Sequence, residues 1–146
     1  MPRQLRLDPA EWPELAAAQG IAKEGPEDLF ASQCRAYRLP EFQRQFRFGK
    51  AIGRQWRFDF AWPQPQFRVA VEIDGVVVRR IHGELVVSGR HATIGGIRAD
   101  NEKINTAQGI LGWTVLRFLQ SDVKPRHAIE FTMQVMAARG WNPEVR

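Results

Sequence analysis

Apolar and polar residues alternate most cleanly over two short runs, Trp56-Arg57-Phe58-Asp59-Phe60-Ala61-Trp62 and Phe67-Arg68-Val69-Ala70-Val71-Glu72-Ile73-Asp74-Gly75. Pro63-Gln64-Pro65-Gln66 lies between them. Proline has no donor for a central ladder, so the pattern predicts two strands joined as a β-hairpin. Trp56, Phe58, Phe60 and Trp62 are expected to share one face of the first strand. Phe67, Val69, Val71 and Ile73 are expected to share one face of the second. If those faces coincide, Asp59, Glu72 and Asp74 lie together on the other. A four-residue loop over 63–66 sets Asp59 opposite Ala70 and diagonal to Glu72, roughly 7–8 Å away between backbones. A tighter two-residue loop sets it directly opposite Glu72, at about 5 Å. In either register Asp59 and Glu72 can reach one hard divalent cation, which takes carboxylate oxygens and keeps several waters.

The flanking pattern predicts the remaining elements. Residues 1–24 form an N-terminal extension, with a short helix from Pro13 to Gln19. Gly25-Pro26 opens a helix running to about Tyr37, with Leu29, Phe30, Cys34 and Tyr37 as its apolar stripe. Glu41 to Phe48 alternates as a first strand, with Phe42, Phe46 and Phe48 on one side and Arg47 on the other. After the main hairpin, Val76 to Ile81 and Leu85 to Val87 flank His82-Gly83 as a smaller hairpin. A long loop through Gly96 then leads to a helix over Ile97–Leu111, stopped by Gly112. Trp113 to Leu119 is mostly continuous apolar sequence, which predicts a strand buried within the sheet. A last helix is expected near Lys124–Arg139, ended by Gly140. The order is helix, three strands, an optional hairpin, helix, strand, helix. It describes an α/β protein with one domain over residues 25–146.

Composition narrows the setting. A chain of 146 residues with 44% apolar and 25% charged residues is an ordinary size and make-up for one globular domain. No run is long enough for a membrane span, and the N-terminus has no signal-peptide core. Cys34 is the single cysteine, which excludes an internal disulfide or a thiolate zinc cluster and fits a reducing, cytoplasmic setting. The net charge is +5, and arginine greatly outnumbers lysine. Arg35, Arg38, Arg44, Arg47, Lys50, Arg54 and Arg57 are opposed over that stretch by Glu41 alone. Such a run is usually a solvated face. Beside a cation site, its natural complement is a phosphate backbone, so a polyanionic partner is expected.

The segments Arg57-Phe58-Asp59-Phe60, Val71-Glu72-Ile73-Asp74-Gly75 and Gly89-Arg90-His91 carry a family resemblance. Asp100-x-x-Lys103-x-Asn105-x-Ala107 and Gly112-Trp113-x-Val115-Leu116-Arg117-Phe118 follow in order. Together with the element order, they resemble the PD-(D/E)XK nuclease superfamily, in the branch of very-short-patch-repair-like and small phage-type endonucleases. The likeness spans roughly residues 26–135. It implies a restriction-endonuclease-like core, a central mixed four-stranded sheet in the order αβββαβ flanked by helices, here with the extra hairpin and a C-terminal helix. It also implies a Mg²⁺-dependent DNA endonuclease, with Mn²⁺ able to substitute, that leaves a 5′ phosphate. Asp59 and Glu72 would bind the metal, with the Ile73 carbonyl as a third ligand, and Glu27 on the first helix is the candidate for an assisting acid. The superfamily's usual lysine, two residues after the glutamate, is replaced by Asp74. Asp74 could bind a second metal or act as a general base near the first, and His91 or Lys103 could supply the missing proton-transfer or phosphate-binding group; the branch favours His91. Arg44, Arg47, Arg54, Arg57, Arg90 and Arg98 are the candidate DNA contacts. The alternative reading is a non-catalytic DNA-binding domain that keeps the fold. Monomer and two-fold homodimer both remain open, as does the preferred DNA structure.

Overall fold

The computed structural model describes residues 25–75, 77–88 and 93–145. Its α-helices are α1 (Pro26–Ala36), α2 (Ile94–Gly109) and α3 (His127–Ala138). Its strands are β1 (Gln43–Phe46), β2 (Phe58–Trp62), β3 (Val69–Asp74), β4 (Val77–Ile81), β5 (Glu84–Ser88) and β6 (Thr114–Leu119). The expected extension over 1–24 and its Pro13–Gln19 helix lie outside the described residues. The protein is mixed α/β, with a four-stranded mixed sheet in the order β1-β2-β3-β6. β1–β2 and β2–β3 are antiparallel, whereas β3–β6 is parallel and needs the α2 crossover between them.

Both faces of the sheet are covered. Phe30, Ala31 and Cys34 of α1 and Ala128, Ile129, Met133 and Met136 of α3 pack on Phe60, Trp62, Val69, Val71, Ile73 and Leu116. On the opposite face Ala107 of α2 packs with Phe48, Phe58, Ala61, Ala70 and Trp113. The small residues Ala61, Ala70 and Ala107 let this helix approach closely.

Local chemistry accounts for the element ends. Pro26 at the start of α1 has no donor to leave unsatisfied, and Glu27 and Asp28 oppose the positive end of the helix dipole. α2 starts three residues earlier than its apolar period suggests, because the Thr93 hydroxyl accepts the Gly96 N–H at 3.0 Å. His82 (φ 50°) and Gly83 (φ 81°) are both left-handed, as a two-residue type I′ hairpin turn requires, and this closes β4 on β5.

Two expectations are corrected. β6 is an edge strand, with Leu116 as its one buried residue, because α2 covers the Val115 side only in part. Trp62 is fully buried, and its indole N–H donates to the Pro40 carbonyl at 2.8 Å. The single aromatic face of β2 is also absent. Phe60 and Trp62 pack under α1 and α3, while Phe58 and Trp56 belong to the α2 side. β1 divides at the same level, with Phe42 on the α1 side and Phe46 and Phe48 on the α2 side. The two switches meet at Gln45, whose φ of 51° breaks the extended backbone, and at its partner position Asp59.

The β2–β3 register is Phe60↔Val71, Ala61↔Ala70 and Trp62↔Val69, which continues to Asp59 opposite Glu72. This is the register expected of a two-residue loop, yet the chain from Pro63 to Arg68 makes the connection. The Phe67 and Arg68 N–H groups both bond to the Gln64 carbonyl, at 2.9 and 3.0 Å, so a helical turn takes up the extra residues.

Phe60 is fully buried, with ring centroids 4.9 Å from Phe30 and 5.2 Å from Phe42. Phe60→Ala is therefore expected to lower unfolding free energy by about 3–5 kcal/mol. Leu85→Ala, on the exposed hairpin tip, should stay within about 0.5 kcal/mol of wild type. Urea denaturation of both variants checks the contrast.

Candidate active site

Asp59 lies at the strand switch, so its carboxylate is held at the edge of β2 rather than on one face. Its Oδ2 accepts the Ile73 N–H at 2.8 Å, and its Oδ1 lies 3.5 Å from the Gln45 side-chain amide. The Ile73 N–H is thus taken by a side chain just beyond the last backbone pairs of the β2–β3 ladder. A residue's N–H and C=O point to the same edge of an extended strand, so the Ile73 carbonyl faces the same gap.

From that position Asp59 meets an acid on each side. Glu27 of α1 is within hydrogen-bonding reach, and so is Glu72 of β3. Among the described residues no three acidic, histidine or cysteine side chains converge closely enough to hold a metal ion between them. The arrangement is two carboxyl pairs sharing Asp59.

Glu72 and Lys103 of α2 form a short ion pair, with side chains only 12% and 15% exposed. Lys103 Nζ also lies 5.8 Å from the centre of the Phe58 ring. Burial raises Glu72, the Lys103 charge opposes this, and the charge and hydrogen bond of Asp59 raise it again; the balance is about 7, against an ordinary 4.5. Glu27 is also pushed up to about 7, first by burial and then by the Asp59 charge and hydrogen bond, with Arg44 opposing.

The other candidates are distributed as follows. Asp74 shares the Glu72 side of β3 and receives Arg117 Nη2 on both oxygens, at 3.0 and 2.9 Å. Arg117 also forms a short ion pair with Asp100 of α2. Arg44 pairs with Asp28 at 2.8 Å and approaches Glu27 at 4.0 Å. Arg54 pairs with Glu102 at 2.6 Å and covers Trp56. Arg47, Arg57 and Arg98 are exposed, and no ion pair holds them among the described residues. Arg90 and His91 lie outside the described residues. The structure therefore joins Asp59, Glu72 and Lys103, adds Glu27, and engages Asp74 elsewhere. Gln45, Asp100 and Arg117 were not singled out as site residues from the sequence. Asp100 and Arg117 do fall in the matched segments, but what they touch depends on how α2 lies over the sheet.

No family model matches this chain, and neither does any curated protein or solved structure. Among the described residues no helix is long and apolar enough to cross a membrane.

A divalent cation suits the donor set at Asp59. Carboxylate oxygens and a strand carbonyl are hard ligands, and Glu27 and Glu72, raised to about 7 first by burial and then by the Asp59 charge, flank Asp59 in a partly buried place. Mg²⁺ needs only one or two carboxylates when waters and phosphate oxygens complete its shell.

These raised carboxyls fix a pH dependence. Between pH 4.5 and about 7 the folded state holds protons that the unfolded chain has released, so stability falls as pH rises through that window. The loss is complete above it. In EDTA, Glu27→Gln should flatten the fall in melting temperature between pH 4.5 and about 7.5. An equal slope in wild type and variant would rule out the raised Glu27 carboxyl.

Proposed function

We propose that this protein is a Mg²⁺-dependent DNA endonuclease with a restriction-endonuclease-like core, hydrolysing phosphodiester bonds. The observation that carries the reading is the directly opposed Asp59–Glu72 pair with a lysine on it, in a four-stranded sheet of αβββαβ order. Asp59 and Glu72 would hold the cation, with the Ile73 carbonyl at the same gap. When bound there, a divalent ion supplies a Lewis acid that holds water beside a scissile phosphate and offsets charge developing on its oxygens.

The chain's own residues supply the rest. The Ile73 N–H and the Gln45 amide aim the Asp59 carboxylate, so its orientation is set before substrate arrives. The ion pair with Glu72 directs Lys103 into the site. The Lys103 ammonium can donate to a phosphate oxygen or pass a proton to the departing oxygen. It thereby fills, from a helix, the role that the residue at position 74 lacks. Asp74 is engaged with Arg117 and is left out of this cation set. Of the candidate arginines, Arg47, Arg57 and Arg98 are exposed and held by no ion pair among the described residues, so they are available to DNA phosphates, whereas Arg44 and Arg54 would have to leave acidic partners.

Nicking of supercoiled plasmid with Mg²⁺ or Mn²⁺ tests the chemistry. Asp59→Asn and Glu72→Gln should each lower the cleavage rate by at least about 100-fold, the scale of losing one transition-state contact. Undiminished cleavage by both variants would end the assignment. No cleavage by wild type, with salt-sensitive DNA binding retained, would favour the binding-only domain. For the arginines, Arg57→Ala and Arg98→Ala should each weaken binding across sequences and reduce the slope of log affinity against log salt by about 1. Fluorescence anisotropy from low to moderate salt reads that slope.

A further inference from the structure

We infer that Arg117 is a positioning residue: bridging Asp74 and Asp100, it locks α2 along the sheet so that Lys103 falls on Glu72. The inference rests on the endonuclease reading for its catalytic consequence and on geometry alone for the lock itself.

Two ion-pair rungs join α2 to the sheet. In one, the helix provides the cation and the strand the anion, Lys103 on Glu72. In the other the signs are reversed: Asp100 of the helix meets Arg117 of β6, which is shared with Asp74 of β3. Glu72 and Arg117 are register partners in the parallel β3–β6 pair, so both rise from the same face at the same level. Asp100 and Lys103 are three residues apart and hence neighbours on the helix surface.

This alternation makes the register self-selecting. If α2 slides one way by a turn, Lys103 moves toward Arg117. If it slides the other way, Asp100 moves toward Glu72. Each shift sets like charges together in a partly buried place, where they repel strongly. Apolar packing offers little competing guidance, because Ile104 and Ala107 are the buried residues of this long helix, and both lie C-terminal to the rungs. Without the Arg117 rung, the Lys103–Glu72 pair and the exposed Arg54–Glu102 pair are the ion pairs left to hold this part of the helix among the described residues, and Arg54 lies outside the sheet. Asp74 then has a definite task at the position where a strand lysine is otherwise expected. It holds the arginine that steers a lysine in from the helix.

The test uses the full chain and two independent readouts. Reductive methylation followed by mass spectrometry measures how far Lys103 is shielded relative to the exposed Lys50 and Lys124. In wild type, Lys103 should react several-fold more slowly than either. Arg117→Met should remove most of that protection, Asp100→Asn part of it, and Arg117→Lys should keep it. Asp100→Asn leaves the Arg117–Asp74 pair intact, so it remains informative if Arg117→Met does not fold. For cleavage with Mg²⁺, Arg117→Met should lower kcat by roughly 10- to 100-fold, the scale of an ångström-sized misplacement, with KM for DNA within about two-fold. Arg117→Lys should recover most of the rate. Unchanged Lys103 protection in folded Arg117→Met and Asp100→Asn would overturn the inference, whatever the enzyme does. If labelling follows Arg117 but wild type cuts no DNA with Mg²⁺ or Mn²⁺, the lock stands and the endonuclease reading falls.

Discussion

The contact on which the site depends is the bond from the Ile73 N–H to Asp59 Oδ2. A strand's N–H normally continues its ladder to a backbone carbonyl. Here the carboxylate takes the donor, at the level where β1 and β2 change faces. An aspartate within an ordinary stretch of β2 would point either under α1 or under α2. At the switch, the side chain is held along the strand edge and can meet Glu27 from one layer and Glu72 from the other. A charge-assisted bond to a backbone N–H is among the stronger hydrogen bonds available to it. The geometry of the acidic group is therefore a product of sheet irregularity, and the left-handed Gln45 is part of the same feature.

Burial then turns that geometry into chemistry. Burial first, and then the charge and hydrogen bond of Asp59, raise both Glu27 and Glu72 to about 7. One ammonium, Lys103, offsets part of the charge. A divalent ion, as proposed, would supply further positive charge to this acidic group. The same raised carboxyls make the protein less stable as the pH rises toward neutrality. An acidic group of this kind works against the fold that contains it, and the aromatic core under α1 and α3 has to offset the difference.

The helix that delivers the lysine is held mainly by charge on its N-terminal side. Two ion-pair rungs of opposite polarity constrain α2 more specifically than a pair of aliphatic residues could, because apolar contacts tolerate sliding and opposed charges do not. Partly buried ion pairs add little net stability after desolvation. Their contribution here is selection of one register.

Much of the fold was legible in the sequence. Period-two alternation located β1, β2 and β3, helical period and capping residues located α1, α2 and α3, and His82-Gly83 marked the small hairpin, because these signals arise from neighbouring residues along the chain. Asp59 and Glu72 stood out for the same reason, as acids within otherwise apolar strands. Tertiary structure decided the rest. Alternation cannot reveal where a strand changes faces, so the split between Phe58 and Phe60 and the edgewise placement of Asp59 were hidden. Loop length was a poor guide to register, since Pro63–Arg68 coils before turning back. A run of apolar residues did not distinguish an interior strand from the edge strand β6, because flanking layers can cover part of either. Lys103 reaches Glu72 across 31 residues, and Arg117 reaches Asp74 across 43. Contacts at such separations depend on how a helix lies over a sheet, and no local pattern encodes that placement.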